Sequence, residues 1–220
     1  MDEVTLSAIP GAGLPKESSS GHEHGSKAKR ASISSLLTHP LPPDDEILIL
    51  LEDYFRSVHW FSLVVLEPNF RPAFTAVKDG FAKPSKKPFL LLLSSMLGLA
   101  AWYRSHELED VASSKREYWQ DWSRRLLANA ELQITQLLDS SSLLAIQTLA
   151  LLGSFYVYHG RPNLSFSLLG ATIKSAQAAG LHQETKHVSW LHAEERRRLW
   201  WTIYTWDRLC AVILLIVASI

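Results

Sequence analysis

The segment SSLLAIQTLALLGSFYVYHGRPNLSFSLLGATIKSAQAAG, residues 141–180, decides the fold class of this 220-residue chain. Helices are predicted over residues 141–159 and 163–180, and a glycine, which readily adopts the left-handed conformation of helix C-termini, closes each of them. Asn163 is a favourable N-cap for the second helix. Because only the Gly-Arg-Pro turn at residues 160–162 separates the two helices, they are predicted to pack as an antiparallel hairpin.

The same helical periodicity continues on both sides of this hairpin. Further helices are predicted over residues 45–58, over residues 88–103, over residues 113–138 with a break near the middle, and from about Ser189 towards the C-terminus. Because residues 88–103 are apolar on nearly every side, they are predicted to form the central buried helix. The proline-rich residues 68–74 are predicted to form a loop.

The chain shows no alternation of β-branched residues with hairpin turns, the pattern that indicates paired strands. The predicted fold class is therefore all-α, a multi-helix domain of antiparallel helical hairpins over residues 44–220. Residues 1–43, rich in Ser, Gly and Pro, are predicted to be a disordered tail or linker, and Asp44 is predicted to cap the first helix. Small residues are predicted to let the hairpin helices approach closely: Ala145, Gly153, Gly170, Ala171, Ala176 and Ala179. One face of the last helix is predicted to carry Leu199, Ile203, Trp206, Cys210 and Ile213.

The overall composition argues against several classes of protein. Lys plus Arg and Asp plus Glu both number 22, so no global positive charge draws the chain to nucleic acid. The single cysteine, Cys210, permits no disulfide framework and no cysteine zinc site within the chain. The apolar runs at residues 89–103 and 209–220 are shorter than the ~18–20 residues that a membrane span needs, so no membrane association is expected.

Candidate chemical groups are few, and each has a simpler interpretation. The His-Glu-His run at residues 22–24 lies in the predicted tail without a third ordered ligand. His182 and His187 flank a loop at a spacing that does not suit a helix-borne metal pair. The acidic residues 44–46 suit the positive end of a helix dipole. We therefore expect no catalytic, cofactor or metal site, and an all-helical enzyme of the terpene-cyclase kind would need a better aspartate-rich motif.

Three charged segments leave alternatives open. The arginines at residues 196–198 could contact nucleic acid or an acidic partner, or form a helix face in which Glu194 pairs with Arg198 four residues on. The charges at residues 207–208, among aromatic neighbours, could form a salt bridge to another helix or belong to a ligand pocket. Residues 27–30 could be a weak nuclear-import patch or part of a linker.

Several motifs together resemble the fungal-specific transcription factor domain, the middle homology region of binuclear zinc-cluster regulators. Residues 195–208, ERRRLWWTIYTWDR, resemble its signature helix. Supporting motifs in the same order are YFRSVH at 54–59, EPNF at 67–70, YVYHGRPN at 156–163 with SLLGA at 167–171, and AQAAGLH at 176–182, where Ala179 replaces the usual leucine. From this resemblance, the following motif residues are expected to have structural or regulatory roles: Tyr156, Gly160, Arg161, Gly170, Ala171, Gly180, Leu181, Arg197, Arg198, Leu199, Trp200, Trp201, Tyr204, Asp207 and Arg208.

The resemblance implies a nuclear protein that regulates RNA polymerase II transcription. In this family a separate N-terminal six-cysteine cluster holding two zinc ions reads the DNA. No cysteine precedes residue 44 of this chain, so we expect no zinc within it and DNA binding only through a missing cluster. After residue 208 the family continues with a Gly-Arg-Pro segment, whereas residues 209–220 are apolar, so a C-terminally incomplete domain from a truncated gene model is expected.

The leading prediction is a regulatory domain without catalysis. A crevice between the predicted helices 88–103, 141–159 and the C-terminal helix, lined by Tyr156, Trp200 and Tyr204, is predicted to admit a small hydrophobic effector. A homodimer or transcription co-regulators are further expected partners. The alternative is a helical interaction module that does not bind DNA and modulates a full-length regulator.

Overall fold

The fold is built from helices. The computed structural model describes residues 29–59, 63–107, 113–140, 142–184 and 188–218, the last six of these as backbone only. The all-α prediction is confirmed, because a two-residue strand pair, β1 (Ala31–Ser32) with β2 (Phe81–Ala82), is the only sheet in these ranges. The helices are α1 (Ile33–Leu36), α2 (Asp44–Asp53) with a π-helical continuation (Tyr54–Val58), α3 (Glu67–Thr75), a 3-10 turn (Pro84–Lys86), α4 (Lys87–Glu107), α5 (Ser113–Glu131), α6 (Ile134–Ser140), α7 (Leu143–Tyr158), α8 (Pro162–Ala178) and α9 (Trp190–Ala218).

Helix α4 is the centre of the fold, as its apolar sequence predicts. Thirteen consecutive residues, Phe89 to Ala101, are buried. Gly98 lets α5 approach α4 closely, since a Cβ atom there would lie 2.9 Å from Leu127 Cγ. The Ser123 hydroxyl donates a hydrogen bond to the Gly98 carbonyl at 2.8 Å and thereby fixes the contact. The predicted break in the third helix is confirmed, because α5 ends at Glu131 and α6 begins three residues later.

The hairpin of α7 and α8 forms as predicted. Gly160 adopts a positive φ of 74°, and the Arg161 N–H donates to the Tyr156 carbonyl at 3.3 Å, which closes the turn. The predicted Asn163 N-cap is wrong by two positions. Pro162 is the first helical residue, a position where its missing N–H costs nothing, and Arg161 precedes it without a side-chain cap.

The small residues of the hairpin play different parts. A Cβ atom at Gly153 would lie 2.6 Å from Leu169 Cδ2, so this glycine permits the close approach of α7 and α8. The Ser165 hydroxyl reinforces the approach by donating to the Gly153 carbonyl at 2.7 Å. Gly170 has no atom within 4 Å of its ideal Cβ position, so the prediction that it makes a packing contact is wrong.

The N-terminal boundary of the domain lies earlier than residue 43. Ile33 and Leu37 are buried in the core, and β1 pairs with β2. Asn129 of α5 holds this arm with two bonds to the His39 backbone, of 2.7 and 3.1 Å. Arg30 forms a two-pronged ion pair with Asp79 at 2.6 Å, so it belongs to the fold. Residues 29–43 are therefore part of the domain, and residues 1–28 lie outside the described part.

Two predictions about secondary structure near the N-terminal side of the domain are wrong. Residues 67–75 form α3 where a loop was expected, because Phe70 and Phe74 recur one turn apart and are buried. Pro72 lies inside α3 at the cost of one backbone hydrogen bond, to the carbonyl of the exposed Pro68. At the start of α2, Asp44 is the first helical residue and no side chain caps the helix.

Candidate functional site

One face of helix α9 is built into the core. Leu199 and Ile203 are fully buried, and Trp206 and Cys210 are 6% and 3% exposed. These residues recur at steps of three and four, which places them on one side of the helix. The predicted inner face is confirmed for these four residues, and the side chain of Ile213 lies outside the description.

Glu195 ties α9 to two other helices. The side chain is 8% exposed, and its carboxylate accepts hydrogen bonds from Asn69 Nδ2 at 2.7 Å and Gln147 Nε2 at 2.9 Å. The same Gln147 nitrogen donates to the Val64 carbonyl at 3.0 Å. Within the described residues, amides and not a cation satisfy this buried carboxylate. The position of Glu195, four residues before Leu199, places it on the buried face of α9.

The three consecutive arginines have distinct local partners. Arg196 Nη2 donates to the carbonyls of Ala179 and Gly180, at 3.1 and 3.0 Å, and so satisfies the C-terminal end of α8. Arg198 Nε donates to Glu194 at 2.7 Å, which confirms the predicted pair, and Arg197 Nε donates to the same carboxylate at 3.0 Å. The guanidinium groups of Arg198 and Arg197 lower the pKa of Glu194. Of the two interpretations of this run, the structure therefore agrees with a helix face in which Glu194 pairs with Arg198.

The outer face of α9 is aromatic and open. Trp201 is 57% exposed and Tyr204 36%, with their ring centroids 5.9 Å apart. The Arg208 guanidinium lies 5.1 Å from the Tyr204 ring centroid. Among the described residues, neither Asp207 nor Arg208 forms an ion pair, so neither alternative for these two charges is decided.

The motif glycine near the end of α8 has a structural role. Gly180 adopts a positive φ of 67°, which confirms its predicted place at the helix end. The Leu181 N–H then donates to the Ala176 carbonyl at 2.9 Å, and the Leu181 side chain is 4% exposed. The neighbouring motif residue Ala171 is half-buried within α8.

The single predicted crevice is wrong, because its residues lie in two places. Trp200 lines a surface cleft beside α9 together with Leu181 and His182, with 5.7 Å between the rings of Trp200 and His182. Tyr156 points instead towards α5, where its hydroxyl donates to Glu131. The opposite side of α7 faces α9, through Gln147. Because Tyr156 lies on the side of α7 that faces α5, it cannot line a crevice against α9.

Tyr156 belongs to a second cleft, which we call the aromatic cleft: Trp102, Gln120, Ser123, Arg124, Leu127, Glu131, Phe155, Tyr156, His159 and Arg161. It lies between α4, α5 and α7 and has a volume of about 460 Å³. The His159 ring stacks on Phe155 at 3.7 Å and meets Trp102 edge-on at 3.9 Å. Sequence reasoning found Tyr156 and Arg161 but missed the other residues, which come from three separate segments.

Burial shifts the ionisation of two groups in this cleft. It raises the pKa of the Tyr156 hydroxyl, and the hydrogen bond to Glu131 raises it further. It lowers the pKa of His159, against the hydrogen bond from the ring to the Phe155 carbonyl. Both groups are therefore neutral at neutral pH. His159 Nε2 has no hydrogen-bond partner among the described residues.

The histidines and the acidic residues singled out in the sequence lie apart wherever the structure describes them. Across the described ranges, no three His, Cys, Asp or Glu side chains lie close enough to hold a metal ion. Of the histidines singled out in the sequence, His182 packs beside Trp200, whereas His187 and residues 22–24 lie outside the description. At the acidic start of α2, Glu46 has a structural role, since it accepts a hydrogen bond of 2.7 Å from the Tyr118 hydroxyl of α5. Among the described helices, none combines the length and apolar composition that a membrane crossing requires.

Comparison with known proteins agrees with the motifs. The model of the fungal specific transcription factor domain matches residues 51–215. A transcriptional regulatory protein of Schizosaccharomyces pombe is 24% identical over 194 residues, covering 87% of this chain and 24% of that protein. An ABC-transporter-regulating transcription factor of Aspergillus fumigatus is 27% identical over 176 residues, 77% of this chain and 18% of the relative. The lactose regulatory protein of Kluyveromyces lactis is 26% identical over 161 residues, 73% of this chain and 17% of the relative.

The matches cover most of this chain but only a small part of each relative. The chain spans about a quarter or less of the length of these relatives. No solved structure is significantly similar to it. The family match nevertheless covers well over half of the chain and contains all five motifs. The chain therefore belongs to the fungal-specific transcription factor domain family.

Proposed function

We propose that this chain is the regulatory domain of a nuclear transcription factor that controls genes transcribed by RNA polymerase II. The observation that carries the proposal is the family match over residues 51–215. The relatives reported above are named as transcriptional regulators or transcription factors. The construction of α9 supports this role, since the motif helix is anchored by Glu195 and Leu199 and presents an open aromatic face.

DNA contact is assigned to a separate zinc-cluster domain of the kind that the family resemblance implies. The balanced charge of this chain and its single buried cysteine support that division of labour. The three consecutive arginines also support this division. Arg196 donates a hydrogen bond to a carbonyl at the end of α8, and Arg197 and Arg198 donate to Glu194. Zinc and sequence-specific DNA binding are thus functions of the larger regulator and not of this domain.

Promoter occupancy in fungal cells tests the proposal. The protein is tagged at its own locus, its distribution is imaged, and chromatin immunoprecipitation is followed by sequencing. We expect a nuclear signal and enrichment at a limited set of promoters, with altered transcript levels of those genes after deletion. An exclusively cytosolic protein, or one without local enrichment on chromatin, would overturn the proposal.

A second candidate function, a protein-interaction module, is favoured by the exposed aromatic residues on α9. Trp190 is 70% exposed and Trp201 57%, and exposed aromatic patches are typical of interaction sites. The partner would be a second copy of the domain or a co-regulator. Light scattering coupled to size exclusion tests self-association, and Trp201→Ser should then lower the apparent mass. Phe81→Ser, which removes an exposed ring from β2, is the matched control.

A further inference from the structure

A pocket lies where the N-terminal arm, residues 29–43, packs against the helices, and we call it the arm pocket. Its apolar interior is formed by Ile33 of the arm, Ile47 of α2, Phe74 of α3, Val77 just after α3 and Leu93 of α4. These five side chains are buried, and the pocket has a volume of about 190 Å³. Because an apolar cavity of about 150 Å³ is large enough for benzene, this interior has room for one branched or cyclic hydrocarbon group.

Two opposite charges line the same pocket. Asp44 is the first residue of α2, Lys78 follows the end of α3, and both are exposed. Neither forms an ion pair among the described residues, whereas the neighbouring carboxylate, Asp79, is held by Arg30 at 2.6 Å. The arm pocket therefore combines an apolar interior with one carboxylate and one ammonium group that a ligand can pair with.

The charge pattern selects the class of ligand. A ligand with a single negative charge would be attracted by Lys78 but repelled by Asp44, and a simple amine would meet the opposite arrangement. A fully apolar ligand would desolvate part of both charged groups without replacing their hydrogen bonds to water. A molecule with an ammonium group and a carboxylate beside each other pairs with both side chains and adds no net charge.

From these observations we propose that the arm pocket binds a free amino acid with a branched aliphatic side chain. The ligand's side chain enters the interior, whose five residues are aliphatic apart from Phe74. Its α-ammonium group pairs with Asp44, and its α-carboxylate pairs with Lys78. Regulation by this ligand rests on the proposed function, with the amino acid as the effector, whereas binding itself does not.

A side chain of a partner protein fits the arm pocket less well than a free amino acid. A leucine inside a peptide chain could fill the apolar interior. It carries neither charge, however, because its amino and carboxyl groups are used in peptide bonds. Such a docked side chain would leave Asp44 and Lys78 without the pairing that a free amino acid supplies.

Occupancy of the pocket should also hold the arm in place. Near its start the arm is fixed by the ion pair of Arg30 with Asp79 and by the pairing of β1 with β2. A ligand that contacts both the arm and α2 binds the docked arm better than the released arm, so it opposes release. Because cleavage after Arg30 by trypsin requires local release of the arm, saturating L-leucine should slow it severalfold.

Isothermal titration of the purified full chain with L-leucine tests the proposal. We expect saturable binding at one site. Isoamylamine lacks the carboxylate of L-leucine, isocaproate lacks the ammonium group, and L-alanine lacks the branched side chain. Each analogue should bind at least about fivefold more weakly, because each has lost one part of the recognition.

Matched variants locate the site. Asp44→Asn should weaken L-leucine binding about fivefold and remove the preference for L-leucine over isocaproate, because the ammonium group has lost its partner. Asp45→Asn removes the same charge from the next position, which is exposed and does not line the pocket, and should leave the affinity unchanged. Lys78→Gln should likewise remove the preference for L-leucine over isoamylamine, with the exposed Lys83→Gln as its control.

Several outcomes would each overturn the proposal. They are the absence of L-leucine binding, equal binding of L-leucine and its analogues, and equal effects of Asp44→Asn and Asp45→Asn. A rate of cleavage after Arg30 that saturating L-leucine leaves unchanged would overturn it as well. Binding that meets all these criteria without an effect on reporter transcription would count against the proposed regulatory function and leave the binding site standing.

Discussion

Two glycines in the same hairpin should respond oppositely to one added methyl group. Gly153 of α7 and Gly170 of α8 both lie within helices, and the sequence marks both as small packing residues. At Gly153 the new Cβ atom would lie 2.6 Å from Leu169 Cδ2 and 2.7 Å from Leu169 Cγ. At Gly170 nothing lies within 4 Å. Alanine is therefore accommodated at position 170 and collides at position 153.

The expected magnitudes follow from two opposing effects. Alanine in place of glycine within a helix stabilises it by about 1 kcal/mol, which is the whole effect expected for Gly170→Ala. Gly153→Ala adds a collision with a fully buried leucine branch point, and overpacking of this kind costs about 1–3 kcal/mol. Because the clash involves Cγ and also disturbs the Ser165 bond to the Gly153 carbonyl, the upper part of that range applies. We expect a net destabilisation of about 1–2 kcal/mol.

Urea unfolding followed by circular dichroism measures both variants against the parent chain. The two midpoints should move in opposite directions, with melting temperatures separated by about 5–10 °C for a domain of this size. Combining Gly153→Ala with Leu169→Ala should cost less than the sum of the single changes, because the smaller side chain removes the collision. If both glycine variants were stabilised equally, the close approach of α7 and α8 at Gly153 would be refuted.

Three further perturbations probe other parts of the structure. Glu195→Ala should lower the unfolding free energy by about 2–3 kcal/mol in urea titrations, because it leaves buried amide donors without their acceptor, whereas Glu194→Ala should change it far less. The folded-state pKa of His159 lies below its unfolded value of 6.5, so the stability from this group is fully present above pH 6.5 and is lost as the pH falls from 6.5 through the folded-state pKa. His159→Gln should therefore flatten the decline in melting temperature between pH 7.5 and pH 5.5, and an unchanged decline would count against the shift. Asp79→Ala should speed tryptic cleavage after Arg30, visible as an early shortened band, because it releases the paired guanidinium.

Local sequence rules predicted the hairpin well. The glycines at the ends of α7 and α8 both adopt positive φ, and the short turn between the helices forces them to be antiparallel neighbours. The uniformly apolar segment predicted the buried centre, α4. These features depend on residues close together in the chain, so spacing and turn chemistry are sufficient to predict them.

Features that depend on distant partners were missed. Three prolines at residues 40–43 suggested the end of a tail, yet the arm before them is held by Asn129, 90 residues later. Proline content suggested a loop at residues 68–74, but burial of two phenylalanines outweighed the lost hydrogen bond. The spacing from Glu195 to Leu199 places Glu195 on the buried face, but its hydrogen-bond partners, Asn69 and Gln147, lie far away in the chain and could not be predicted.

The candidate site was predictable only in pieces. Motifs identified Tyr156 and Trp200 as residues of interest, and periodicity placed α9 against the core. Sequence patterns do not show towards which neighbouring helix a side chain points, so one crevice was predicted where the structure has two clefts. The aromatic cleft joins residues from α4, α5 and α7, and its existence depends on how these helices pack.

The central claim, that this domain regulates transcription, is tested most directly by tethering. The full chain is fused to a heterologous DNA-binding domain that has no regulatory activity of its own, and expression of a reporter gene is measured in fungal cells. We predict that the fusion changes reporter output severalfold in either direction, and that Glu195→Ala, which frees α9 from its anchor, abolishes the change. A stable, nuclear fusion whose output equals that of the DNA-binding domain alone would contradict the claim.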